Sequence, residues 1–114
     1  MPVRINIPRG QVQARVNDAF RRGLPLLTAT VRDDCNEYCK EAEGYLKASS
    51  MEHSVLSEGK IIWQMPYAKR QYWEIRTAYH DMNPKATWKW AEAAKRAHMD
   101  DWTRQAQEAM ERFL

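Results

Sequence analysis

Apolar residues recur along this chain with two periods, and the change between them marks out its elements. From Gly10 onward Val12, Val16, Phe20, Leu24, Leu27, Val31, Cys35, Tyr38 and Ala42 follow one another at intervals of three or four. That spacing predicts one face of a helix about thirty residues long. Gly23 and Pro25 interrupt it, and an internal proline costs a helix about 3 kcal/mol. The stripe nevertheless stays in phase across Pro25, which predicts a kinked but nearly collinear helix. Its end is expected near Glu43-Gly44, where glycine offers a left-handed cap.

The period then shortens. After a turn or helical turn over residues 45–50, residues 51–56 and 60–65 flank Ser57-Glu58-Gly59, and Ile61, Trp63 and Met65 alternate with Ile62 and Gln64. This predicts a hairpin whose loop uses a positive φ at Gly59. Pro66 stops the ladder because it has no N–H to donate. Residues 67–73 read as one or two helical turns, and 75–82 as a short strand or a loop with an exposed tip. Asn83 is a good N-cap and Pro84 suits a first helical position. A last helix is expected from there to about Arg112, with Trp88, Ala91, Ala94, His98, Trp102, Ala106, Ala109 and Phe113 on its apolar face.

The fold expected from this order is α+β. A long kinked N-terminal helix and a long C-terminal helix pack on a small antiparallel sheet with a central hairpin. Residues 1–9, with Pro2 and Pro8 around an alternating Val3-Arg4-Ile5-Asn6-Ile7, are expected to be an extended arm. The arm could lie on its own domain or reach a neighbour. Residues 10–114 form the single α+β domain. Trp63 and Tyr67 are expected to anchor the sheet to the helices, and Trp88 and Trp102 to anchor the last helix.

Charge adds a map more than a total. The net charge is +3, compatible with weak nucleic-acid contact without requiring it. Residues 1–22 carry five arginines against Asp18, residues 33–43 five acids against Lys40, residues 60–96 are basic and the last eighteen lean acidic. Alternating zones of this kind suit contact between copies, or are ordinary solvated faces. Arg4, Arg9, Lys69, Arg70, Arg76, Lys95 and Arg96 are the candidates for facing a neighbour or a channel. Lys69, Arg70, Arg76, Lys85, Lys89, Lys95 and Arg96 also interleave with Tyr67, Tyr72, Trp73, Trp88 and Trp90, a pattern that single-strand binding uses. A small basic nucleic-acid-binding module using this face, residues 69–96, is the alternative function.

Candidate chemistry is thin. Cys35 and Cys39 are four apart, but no C-x-x-C or paired histidine completes a zinc set, so they read as small buried hydrophobes. His53, His80 and His98 are scattered, and His80-Asp81 has no nucleophile motif beside it. Asp33-Asp34 and Asp100-Asp101 are sequence neighbours that diverge by about 100° on a helix. No catalytic, cofactor-binding or metal residue is therefore assigned. The start MPVRINIPRG has no apolar signal region, and no run approaches the roughly 18 apolar residues of a membrane span. Two cysteines without a secretion signal fit a reducing compartment.

With these residues laid out, the chain resembles the minor capsid proteins of tailed bacteriophages, relatives of the head–tail joining or tail-completion proteins of long-tailed phages. The carriers are Gly23-Leu24-Pro25-Leu26, Cys35-Asn36-Glu37-Tyr38, Gly44-Tyr45-Leu46-Lys47-Ala48-Ser49, Gly59-Lys60-Ile61-Ile62-Trp63 into Pro66-Tyr67-Ala68-Lys69-Arg70, and Asn83-Pro84-Lys85-Ala86 ahead of Trp90, Ala94-Lys95 and Trp102. Relatives have Asp-Thr-Gly where this chain has Ala42-Glu43-Gly44, so the local cap that Asp and Thr would make does not carry over. The resemblance implies a non-enzymatic virion protein, made in the bacterial cytoplasm and placed in the neck at the head–tail junction. It implies a ring, hexameric by that resemblance, with neighbouring neck and tail-terminator proteins as partners and phage DNA passing non-specifically through the channel.

Overall fold

The computed structural model describes residues 3, 8–40, 45–74 and 83–114. Its elements are α1 (Arg9–Asn36), α2 (Tyr45–His53), α3 (Ala68–Trp73) and α4 (Trp90–Phe113), with a 3-10 turn at Leu56–Glu58. Helix α1 runs through Pro25 without a break. Pro25 withdraws one N–H from the ladder, and two hydroxyls supplement the bonding just beyond it. Thr28 Oγ1 donates to the Leu24 carbonyl at 2.7 Å and Thr30 Oγ1 to that of Leu26 at 3.1 Å.

The expected sheet is absent from the described residues: the fold there is helical, not α+β. Residues 45–53, rich in the helix formers Leu, Lys, Ala, Met and Glu, stay helical to His53 and give the second strand nothing to pair with. One antiparallel bridge, Val55 to Lys60, is all that forms of the hairpin. The turn itself is where the sequence puts it, with Gly59 left-handed at φ 69°. Beyond the bridge, Ile62 N–H goes to Ser54 Oγ at 3.0 Å rather than to a strand. Ile61, Trp63 and Met65 lie half-buried against helices.

Two helix ends also differ from expectation. Helix α1 stops at Asn36, because the N–H groups of Tyr38 and Cys39 turn back to the carbonyls of Cys35 and Asn36, three residues away. The Glu43-Gly44 stop lies outside the described residues, as do Arg4, Arg76, His80, all but Val3, Pro8 and Arg9 of the expected arm, and the 75–82 segment. Helix α4 starts at Trp90, not Pro84. Asn83 caps a different helix: its Nδ2 donates to the carbonyls of Glu37 and Cys39 at 2.8 and 3.0 Å, and its Oδ1 accepts from Lys85 N–H at 3.1 Å.

Helices α1 and α4 form the main interface and run antiparallel, since Gly23 meets Ala109 and Glu37 meets His98. The core gathers at one end of this pair. Cys35, Cys39, Leu46, Ala68, Trp90 and Ala94 are buried together, with Val31, Trp63, Tyr67, Tyr72 and Trp102 packed against them. Towards the other end the two helices pack directly on each other, with the turn at Gly59 against Leu24, and a Cβ on Gly23 would sit 3.0 Å from that of Ala109. The result is long, 74 × 24 × 20 Å, with a radius of gyration of 18.9 Å. A compact chain of this length has about 13 Å.

Candidate assembly surfaces

The best-built polar arrangement is a clasp around the C-terminus of α1. Asp33, Asp34 and Glu37 crowd a helix end whose dipole disfavours acids. Each therefore needs a partner. Trp102 Nε1 donates to Asp34 Oδ2 at 2.7 Å, Lys85 Nζ to Glu37 Oε1 at 2.7 Å, and His98 Nε2 lies 3.2 Å from Glu37 Oε2. Arg32 Nε reaches Asp33 at 3.2 Å. The Lys85 bond, foremost, holds the Glu37 carboxyl below its ordinary range despite the opposing effect of burial, and raises the Lys85 ammonium in return.

Asn36 ties the same helix end to two further elements. Its Nδ2 donates to Ser50 Oγ on α2 at 2.8 Å, and its Oδ1 accepts from Trp63 Nε1 at 2.9 Å. Asp34, Glu37 and His98 offer ligand-type atoms within 4.8 Å of one another. Their geometry is that of a satisfied ion-pair network, with an ammonium already seated on Glu37 and an indole N–H on Asp34.

The cysteines are packing residues. Both are buried and unbridged, and burial, aided by the Asp34 charge, pushes the Cys35 thiol up to about 11. That is the opposite of a reactive thiolate.

The sequence-selected residues fall into two groups. Trp63, Tyr67 and Trp102 pack on the core, while Trp88 stands half-buried beside the Lys89 ammonium, 4.6 Å from its ring centroid. Lys89 also lies 5.3 Å from the Trp73 ring and takes a left-handed φ of 46°. The cations Arg9, Lys69, Arg70, Lys95 and Arg96 are all exposed. None of them meets a carboxylate among the described residues. Lys69 and Arg70 sit on α3, Lys95 and Arg96 on α4, and Arg9 at the far start of α1.

Three residues matter more than their sequence context announced. Trp90 is 1% exposed and meets Trp63 and Tyr72 edge to face at 5.6 and 4.8 Å. Asn36 and Asn83 carry the bonds that join distant segments. A signal for Trp90 exists in hindsight: it shares a helical face with Ala94 and with Ala97-His98, one register from the stripe read through Trp88.

The fold is a long helical pair with its core at one end, and the cations that meet no carboxylate among the described residues are spread over separate helices. The sequence model of the minor capsid protein family matches residues 3–110, and the chain belongs to that family. Membership carries a structural role in the phage virion. Comparison with curated proteins and with solved structures finds no match. No helix of the described residues is long and apolar enough to cross a membrane.

Proposed function

We propose that this protein is a subunit of the virion neck, joining or completing the tail at the head–tail junction as part of a ring around the DNA channel. The observation that carries the reading is unspent surface. The chain exposes 8660 Å², against about 6,500 Å² for a compact monomer of its mass. The excess is of the order that a standard protein–protein interface removes from water. A ring subunit needs two different faces that close by rotation. Neighbouring copies, neck proteins and the tail terminator would share that surface, with copy number six by resemblance. Lys69, Arg70, Lys95 and Arg96 are exposed and meet no carboxylate among the described residues, suited to a neighbour's acids or to DNA passing without a grip. The role is structural and uses no catalytic residue.

The nucleic-acid module draws less support from the geometry. Trp90, Trp63 and Tyr72 spend their faces and edges on one another, and Trp73, though 56% exposed, already meets Tyr72 edge to face at 5.2 Å and the Lys89 ammonium at 5.3 Å.

The test is location in the particle. Labelling the chain in intact virions, with imaging by electron cryomicroscopy, should place the label at the head–tail junction. Phage lacking the gene should accumulate filled heads and unjoined tails. Label spread over the capsid shell, or normal joining without the gene, would overturn the reading.

A further inference from the structure

We infer that residues 3–7 of one copy dock in a groove beside Ile61 and Trp63 of a second copy and pair with its main chain. The inference rests on the ring reading above and names the contact that links the copies. The receiving edge follows from where the backbone bonds go. Lys60 exchanges both of its main-chain bonds with Val55, at 2.9 and 3.1 Å, and Ile62 N–H turns the same way, to Ser54 Oγ at 3.0 Å. Alternate residues of a segment running on from an antiparallel bridge turn their N–H and C=O groups to opposite sides. The main-chain groups of Ile61 and Trp63 therefore face away from Val55, and among the described residues they meet no partner. Two donors and two acceptors form an open edge of the kind that takes up an extended peptide.

The side chains beside that edge form an apolar trough. Ile61 and Trp63 line it with Val31 and Cys35 of α1 and Ala91 and Trp102 of α4, while Glu92 and Lys95 stand on its rim. One acid and one base on the rim leave charge indifferent to the occupant. Pattern selects it instead. Val3, Ile5 and Ile7 alternate with Arg4 and Asn6 between Pro2 and Pro8. An extended segment of that pattern offers one apolar face, and prolines at its ends are tolerated on an edge. Pairing with Ile61 and Trp63 puts the apolar face into the trough and leaves Arg4 and Asn6 to solvent. Reach decides which copy supplies the segment. Val31 lies about 33 Å along α1 from Arg9. Val3, six residues before Arg9, extends at most about 22 Å from it. The segment cannot lie beside Val31 of its own chain, where Val3 is 88% exposed. Segment and trough are different surfaces, so the contact runs head to tail and closes into a ring if the rotation allows.

Substitution in the segment tests the contact. Native mass spectrometry should show oligomers of the wild-type chain and monomers of the whole chain carrying Val3→Asp with Ile5→Asp, whose helices circular dichroism checks. Hydrogen exchange should be slow at the amides of Ile61 and Trp63 in the wild-type oligomer and fast in the variant. A synthetic peptide of residues 1–9, added to the variant, should restore slow exchange there and shift the tryptophan emission. The same peptide with both aspartates should do neither. A monomeric wild-type chain would overturn the inference, as would a variant that assembles like the wild type, or a peptide that leaves Ile61 and Trp63 exchanging freely. Copies that meet elsewhere in a ring would fail these measurements and still pass the labelling experiment on virions, so the two readings fail separately.

Discussion

Trp63 and Trp90 meet edge to face, ring centroids 5.6 Å apart, and Trp63 Nε1 simultaneously donates to Asn36 Oδ1 at 2.9 Å. One side chain thereby ties the irregular segment after Gly59 to the end of α1 and the start of α4. Replacing Trp63 by Ala removes the ring and leaves the Asn36 acceptor unfilled. The expected loss is about 3 kcal/mol, the lower end for a large aromatic because Trp63 is only half-buried. Trp63→Phe keeps a ring and forfeits the hydrogen bond, with an expected loss of about 1 kcal/mol. Urea denaturation of both variants should return that order; equal losses would mean that the ring adds nothing beyond the bond, and a Trp63→Phe chain as stable as the wild type would mean that the bond contributes nothing.

The relation between Gly23 and Ala109 predicts the opposite kind of failure, overpacking. Glycine in a helix interior costs about 1 kcal/mol relative to alanine, so its presence at the closest approach of α1 and α4 has a packing reason. Gly23→Leu has to pry the helices apart and should destabilise by about 1–3 kcal/mol. Pairing it with Ala109→Gly should recover part of the loss. If Gly23→Leu matches the wild-type chain in urea, the close approach is not rigid.

These two pairs also show what the sequence could and could not reveal. The long helices were legible because a 3.6-residue period sustained over many turns has few other readings, and the left-handed turn at Gly59 was legible because glycine is the default there. The sheet was not. Alternation through Ile61, Trp63 and Met65 reads the same whether the segment pairs with a strand or lies along helices, and only the helical fate of residues 45–53 decides between them. Asn83 has the chemistry of an N-cap, yet its amide serves carbonyls more than forty residues earlier. No local pattern records that. The clasp itself was not legible: the sequence places His98 on the apolar face of the last helix, and nothing local names its partner, Glu37 on the other long helix.

Acid should loosen the clasp. The Lys85 bond lowers the Glu37 carboxyl below its ordinary range. A group whose folded pKa lies below its unfolded value contributes stability above the unfolded value, and that contribution fades as pH falls through the folded one. The wild-type chain should therefore lose stability as pH drops from neutrality through the carboxylate range. Glu37→Gln should be less stable at pH 7 and show a shallower decline into acid. Thermal melts between pH 7 and pH 3 check this, and parallel curves for the two chains would assign the slope to other carboxylates.

Cys35, buried and raised to about 11 by that burial and by Asp34, should be inert while the protein is folded. At pH 8 a thiol reagent such as iodoacetamide is expected to label neither Cys35 nor Cys39 in native buffer. Both should react at once in denaturant. Because only opened molecules expose a thiolate, the slow native rate should rise in variants that destabilise the core, Trp63→Ala first among them. Rapid labelling of the native chain would contradict the packing described for α1.

Among the described residues two take left-handed backbone conformations, and their contrast makes the final prediction. Gly59 at φ 69° carries no Cβ, and one added there would lie 3.3 Å from Leu24 Cδ1. Gly59→Ala meets both the left-handed penalty of about 1–2 kcal/mol and that contact, so it should destabilise by at least the penalty. Lys89, at φ 46°, already bears the penalty and lies near Trp88 and Trp73. Lys89→Ala keeps the strain and loses cation–π contacts that contribute about 0.5–1 kcal/mol each when exposed. Lys89→Gly relieves the strain while losing the same contacts, and should come out more stable than Lys89→Ala. Urea midpoints ranked wild type or Lys89→Gly first, Lys89→Ala next and Gly59→Ala last would meet the expectation. A Lys89→Ala chain more stable than Lys89→Gly would show that the left-handed turn before α4 is not under strain.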